Sequence, residues 1–136
     1  MIVVDSSALI AIFRREPERE SFLQIINTSD SGFLSIVTVV ETASVICGQR
    51  LMGTRSHVER LIASLGLVVE AIDLHQLSFA LDALLTFGRG RHPAGLNLGD
   101  CFAYALAKSL NAPLLFKGDD FLKTDIVPAW TPEPHP

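Results

Sequence analysis

Four short apolar runs constrain this chain more than any other feature: residues 1–4, 32–35, 67–72 and 114–117. Each is only a few residues long and bounded by turn or capping residues, which is the pattern of a buried strand rather than a helix. Between them lie longer stretches with apolar residues three and four apart. Ser6 and Ser7 open one over 8–13, and Pro17 begins another carrying Phe22, Leu23, Ile25 and Ile26. Further helices are expected over 38–52, 57–65, 74–87 and 97–110. Gly66 and the breaker-rich 88–95 segment separate the later ones. Strands that alternate with helices in this way pair in parallel and cross over right-handedly, so an α/β fold with a mainly parallel sheet is predicted.

A chain of 136 residues with 49% hydrophobic residues can bury a core as one domain. We expect that domain to span 1–127, followed by a Pro-rich tail, 128–136, holding four of the seven prolines. Cys47 and Cys101 both lie in helical patterns far apart in sequence and are expected as buried free thiols. No apolar run approaches the ~18 residues of a membrane span, so no membrane association is expected. The first strand pattern begins at Ile2 with no basic leader or cleavage site before it, which makes the cytoplasm the expected compartment. The net charge of −4 has the wrong sign for a protein that grips nucleic acid through its overall charge. A nucleic-acid role would need a local basic patch or a bound cation.

The acids are placed suggestively. Asp5 directly follows the first strand, and Glu41 sits in the first turn of the helix after the second. Asp100 lies in the first turn of the helix leading to the last strand, and Asp119 and Asp120 directly follow that strand. In open parallel sheets, functional groups gather beyond the carboxyl ends of the strands. Each acid also has a capping reading. Asp5 can cap the helix beginning at Ser6, Thr38 to Glu41 fits a capping box, Asn97 to Asp100 fits a second, and Asp119-Asp120 fits a turn. Four carboxylates at one sheet edge would repel one another unless a cation lay between them. Hard oxygen ligands without His or Cys suit Mg²⁺, with Mn²⁺ a second candidate. An ion in such a place serves phosphate chemistry, as in a phosphodiesterase or phosphatase.

The residues around these acids carry a family resemblance. Asp5 with Ser6-Ser7-Ala8-Leu9, Glu41 after Thr38, and above all His92-Pro93-Ala94-Gly95-Leu96-Asn97-Leu98-Gly99-Asp100-Cys101-Phe102-Ala103-Tyr104-Ala105-Leu106-Ala107 resemble PIN-domain ribonucleases of the VapC toxin type. Phe116-Lys117-Gly118-Asp119-Asp120-Phe121 with Thr124-Asp125 is similar to that family's closing segment. The resemblance covers the chain apart from the Pro-rich tail. It implies a PIN-like three-layer α/β/α sandwich and Mg²⁺-dependent endonucleolytic cleavage of RNA, tRNA or rRNA in particular. It also implies a homodimer and neutralisation by a cognate VapB-like antitoxin. By the same resemblance Asp5, Glu41 and Asp100 are the core acids and metal ligands. Asp120, which stands before Phe121, is narrowly favoured over Asp119 as the fourth acid. Arg89, Arg91 and His92, on the loop before Asp100, are candidates for contacting RNA phosphates, or else form a solvated loop, and Ser6 is a further candidate contact. Ser6 or Ser7 could hold a water at the site or simply cap a helix.

Three other functions compete. A haloacid-dehalogenase-like phosphatase needs a second acid two residues after the first, where this chain has Ser7. A receiver-type phospho-acceptor would use Lys117, but leaves Glu41 and Asp100 without a role. A PIN module that binds RNA or a partner without cutting would not need every acid in place.

Overall fold

A computed structural model describes residues 1–133. The last part of the expected tail, 134–136, lies outside the described residues. The predicted architecture is present. Strands β1 (Ile2–Val4), β2 (Gly32–Ser35), β3 (Val68–Glu70) and β4 (Leu114–Leu115) form a sheet in the order β3-β2-β1-β4. Every pairing is parallel: Val3 stands beside Phe33 on one side and Leu114 on the other, and Phe33 beside Val68. The described residues also form helices α1 (Ser6–Phe13), α2 (Arg19–Thr28), α3 (Ile36–Ile46), α4 (Arg55–Ser64), α5 (Leu74–Phe87) and α6 (Leu98–Leu110).

Alternation along the central strands builds the three layers. Val3 and Leu114 point into one core with Ala103, Leu106 and Ala107 of α6 and Ala83 of α5. Their neighbours Ile2, Val4 and Leu115 point into the other, with Leu9 and Ile12 of α1 and Phe22 and Ile26 of α2. The alanines of α6 let that helix lie close on the sheet. Helix α3 touches α1 on one side and α6 on the other, bridging the two helical layers. This bridge brings the acids together.

Several boundaries differ from the sequence reading. Helix α3 begins at Ile36 rather than at 38, because Ser35 takes an extended backbone and its hydroxyl accepts the Val37 N–H at 3.2 Å. It stops at Ile46, where the chain turns back and the Gly53 N–H donates to the Ile46 carbonyl. The early stop leaves Cys47 exposed, not buried as expected, while Cys101 is buried. Strand β3 is shorter than 67–72 because the Leu67 N–H is taken by the Ile62 carbonyl of α4. Strand β4 ends at Leu115. Beyond it the Lys117 N–H leaves the ladder for the Ser7 hydroxyl.

The first residues of the expected tail are packed. Leu114 donates to the Val127 carbonyl and accepts from the Ala129 N–H, so 127–129 run alongside β4. Trp130 then meets Phe22 edge-on, with ring centroids 5.1 Å apart. Trp130→Ala is expected to lower unfolding free energy by about 1–3 kcal/mol, less than for a fully buried aromatic because Trp130 keeps part of its surface in water. Urea denaturation measures this, and an unchanged midpoint would show that the contact contributes nothing.

Candidate active site

The site lies past the carboxyl ends of β1 and β4. The Asp5 N–H still donates to the Leu115 carbonyl, so its backbone is held by the sheet, while its side chain caps α1. Its Oδ2 accepts the Ser7 N–H at 3.1 Å and the Ser7 hydroxyl at 2.6 Å. That hydroxyl in turn accepts the Lys117 N–H at 3.0 Å. One serine therefore fixes the Asp5 rotamer and ties it to the end of β4. With Oδ2 committed, Oδ1 remains, and it is buried without a hydrogen-bond partner. Asp5 is 2% exposed, and burial raises its carboxyl above the ordinary 3.8 against the pull of the Ser7 donors.

Glu41 is not the capping residue that the Thr38-x-x-Glu41 spacing suggested. With α3 starting at Ile36, Glu41 sits in the second turn and its carboxylate is released from its own helix. The Thr38 hydroxyl is buried and makes no such cap. The carboxylate lies against Gly99 of α6, and its Oε1 is also buried without a partner. Burial, reinforced by the negative charges of Asp5 and Asp100, pushes Glu41 up to about 7, while the Ser6 hydroxyl works the other way.

Asp100 caps its own helix and also stands among the other acids. Its N–H donates to Asn97 Oδ1 at 2.8 Å and its Oδ2 accepts the Asn97 N–H at 3.0 Å, a reciprocal cap for α6. Burial and the charges of Asp5 and Asp120 nonetheless raise it to about 6, with Arg89 opposing. Asp120 begins a 3₁₀ turn (Asp120–Lys123), and its charge reaches both Asp5 and Asp100. Asp119 borders a neighbouring cavity of about 210 Å³ with Glu18, Lys117 and Trp130. Of the candidates for RNA contact, Ser6 and Arg89 stand beside the acids. Arg91 is exposed on the loop. The His92 ring is set edge-on to Phe87 at 5.1 Å, with its Nδ1 accepting the Ala94 N–H.

The lower half of α6 secures the closing segment. The Tyr104 hydroxyl and the Lys108 ammonium both donate to Asp125, each at 2.8 Å. Helix α6 thus carries Asp100 at its start and restrains the segment that presents Asp120.

The donor set suits a hard divalent cation. At this site two buried carboxylate oxygens lack hydrogen-bond partners, and burial, with the neighbouring negative charges added, drives the carboxylates toward protonation. Among the described residues no three acids are yet close enough to ligate one ion together. Asp5 and Glu41 supply the oxygens that lack partners, and Asp100 stands beside them with one oxygen committed to its cap. Sequence reasoning missed Ser7 as a clamp and Gly99 as the surface under Glu41. The clamp joins residues 110 apart, and nothing local signals it.

Comparison with known proteins fixes the family. A model for the PIN domain matches residues 2–127. Ribonuclease VapC42 of Mycobacterium tuberculosis is 39% identical over 131 residues, covering 96% of this chain and 100% of that protein. The chain belongs to the VapC ribonucleases of the PIN-domain family. Two solved structures share its fold. M. tuberculosis VapC20, described as a Sarcin-Ricin loop cleaving toxin, superposes with a TM-score of 0.72 at 17% identity, covering 93% of this chain and 97% of that one. A chain of a toxin–antitoxin complex from Klebsiella pneumoniae gives 0.70 at 16% identity, covering 96% and 98%. At those identities the likeness is one of fold.

Proposed function

We propose that this VapC-family chain is a Mg²⁺-dependent endoribonuclease toxin, with Mn²⁺ able to substitute, acting on structured RNA such as tRNA or rRNA in the cytoplasm. The observation that carries the reading is the pair of orphaned, buried oxygens, Asp5 Oδ1 and Glu41 Oε1, beside Asp100. Asp5, Glu41 and Asp100 would hold the ion. When bound, the ion supplies positive charge against the phosphate and makes a water more acidic. The chain's own residues do the rest. Ser7 holds Asp5 in one rotamer, and Asn97 fixes Asp100 Oδ2 so that Oδ1 is left for other partners. Asp120 is favoured over Asp119 as the fourth acid because its charge acts on Asp5 and Asp100. Arg89 brings a positive group beside Asp100, where an RNA phosphate can be oriented, with Arg91 on the same loop.

A VapB-like antitoxin is the proposed partner. The exposed Ile36 and Val40 line an apolar groove that includes Glu41, a place where a bound segment would cover the site. An Arg or Lys on that segment would meet the carboxylates. Homodimerisation is supported by α5, which exposes Leu74, Leu77, Leu81 and Leu85 at three- and four-residue spacing. Among the described residues no helix is long and apolar enough to cross a membrane.

Purified protein freed of antitoxin and treated with EDTA is expected to leave total RNA intact, and added Mg²⁺ or Mn²⁺ is expected to restore cutting. Undiminished cleavage in EDTA would refute the metal-centred reading.

A further inference from the structure

Gly99 is one residue before Asp100 and fully inside the fold, yet its missing side chain is not required by the backbone or by the sheet. It lies in the first turn of α6 with no positive φ, where any residue could sit, and Ala would be the better helix former. The space a Cβ would occupy is taken by one group, the Glu41 carboxylate. A Cβ built there overlaps Glu41 Cδ and Oε2 and stands 2.6 Å from Oε1. Other glycines with close neighbours differ: Gly53 meets the side chain and carbonyl of Ile46, Gly88 the carbonyl of Leu84, and Gly32 a leucine side chain.

We propose that Gly99 is a positioning residue for the proposed metal-dependent site, its bare Cα forming the seat that holds the Glu41 carboxylate beside Asp5 and Asp100. The glutamate arrives from α3 across the gap between the two helical layers, and its own helix gives the carboxylate no capping role. The surface of α6 at residue 99 stops it. A methyl group there occupies the seat and turns the carboxylate away from Asp100, while the backbone, the Asn97–Asp100 cap and the core are left as they are.

The inference rests on the ion-binding reading above, and the test separates the two. Mn²⁺ binding to the antitoxin-free chain is followed by calorimetry, with RNA cleavage and thermal unfolding in parallel. Gly99→Ala is expected to bind Mn²⁺ about ten- to a hundredfold more weakly, as for residues that orient a ligand. Its melting temperature without metal is expected to stay within about 3 °C of the parent's. Glu41→Asp shortens the side chain and withdraws the carboxylate from position 99. It is therefore expected to weaken Mn²⁺ binding less in the Gly99→Ala background than in the parent. Parent-like Mn²⁺ affinity in Gly99→Ala overturns the seat. So does additivity of the two substitutions, or a melting temperature lowered by more than about 10 °C, which would place the clash in the backbone. A parent chain that binds no Mn²⁺ would instead refute the ion-binding reading itself.

Discussion

Asp5→Asn is expected to reduce RNA cleavage by a factor of about 10²–10³ or more while leaving the fold intact. The argument is atomic. The amide oxygen of Asn can still accept both Ser7 donors, so the cap on α1 and the link to Lys117 survive. The NH₂ then falls where Oδ1 now lies buried without a partner. An acceptor suited to a cation becomes a donor that repels one. Because burial outweighs the Ser7 donors and leaves the Asp5 carboxyl raised, removing its charge does not on balance cost the native state stability. Cleavage assays and thermal unfolding on the same preparation decide it. Near-parental cutting would reduce Asp5 to a helix cap, and a melting temperature well below the parent's would mean that its charge is structural.

The second large effect concerns stability and pH. Glu41 ionises near 7 in the folded chain against an ordinary 4.5, and Asp100 near 6 against 3.8. Between the lower and the upper value of each, the folded protein holds a proton that the unfolded chain has released. Stability from these groups is therefore present below the lower values and falls as pH rises toward 7. The metal-free protein is expected to be more stable at pH 5 than at pH 8. Glu41→Gln should raise the melting temperature at pH 8 but not at pH 4.5. After allowance for water at the partly exposed carboxylate, the gain is about 1–2 kcal/mol, or roughly 4–8 °C. Mg²⁺ should produce a similar rise in the parent at pH 8 and a smaller one in the variant. A lower melting temperature for Glu41→Gln at pH 8 would mean that the carboxylate is held by favourable contacts that outweigh its burial and the nearby charges.

The start of α6 was fully legible in the sequence because its signals are local. Asn97, Asp100 and the alanine run specify a cap, a first-turn acid and a close-packing face within a dozen residues. The strands were legible for the same reason, as was the position of Asp5 just after the first of them. Glu41 was legible as an acid near the sheet edge but not in its role. Ser35 and Thr38 are both good caps, and choosing the later one rotates Glu41 back onto its own helix. Moving the cap from Ser35 to Thr38 is enough to turn a free carboxylate into a capping one. The functional and capping readings of Asp5 and Asp100 were posed as rivals, yet each residue uses one oxygen for the cap and leaves the other. Gly99 and Ser7 were out of reach because their partners are 58 and 110 residues distant, and only the assembled sheet brings them together.

The Ser7 hydroxyl has a consequence for the order of events during synthesis. Its single proton goes to Asp5, and its acceptor site is filled by Lys117, which follows the last strand to be made. A chain leaving the ribosome displays Asp5 early, but the clamp that orients it, and Asp120 beside it, wait until the C-terminal strand has docked next to the first. Contacts of such long separation are among the last to form. The clamped geometry of Asp5 is therefore complete only when the two ends of the domain meet.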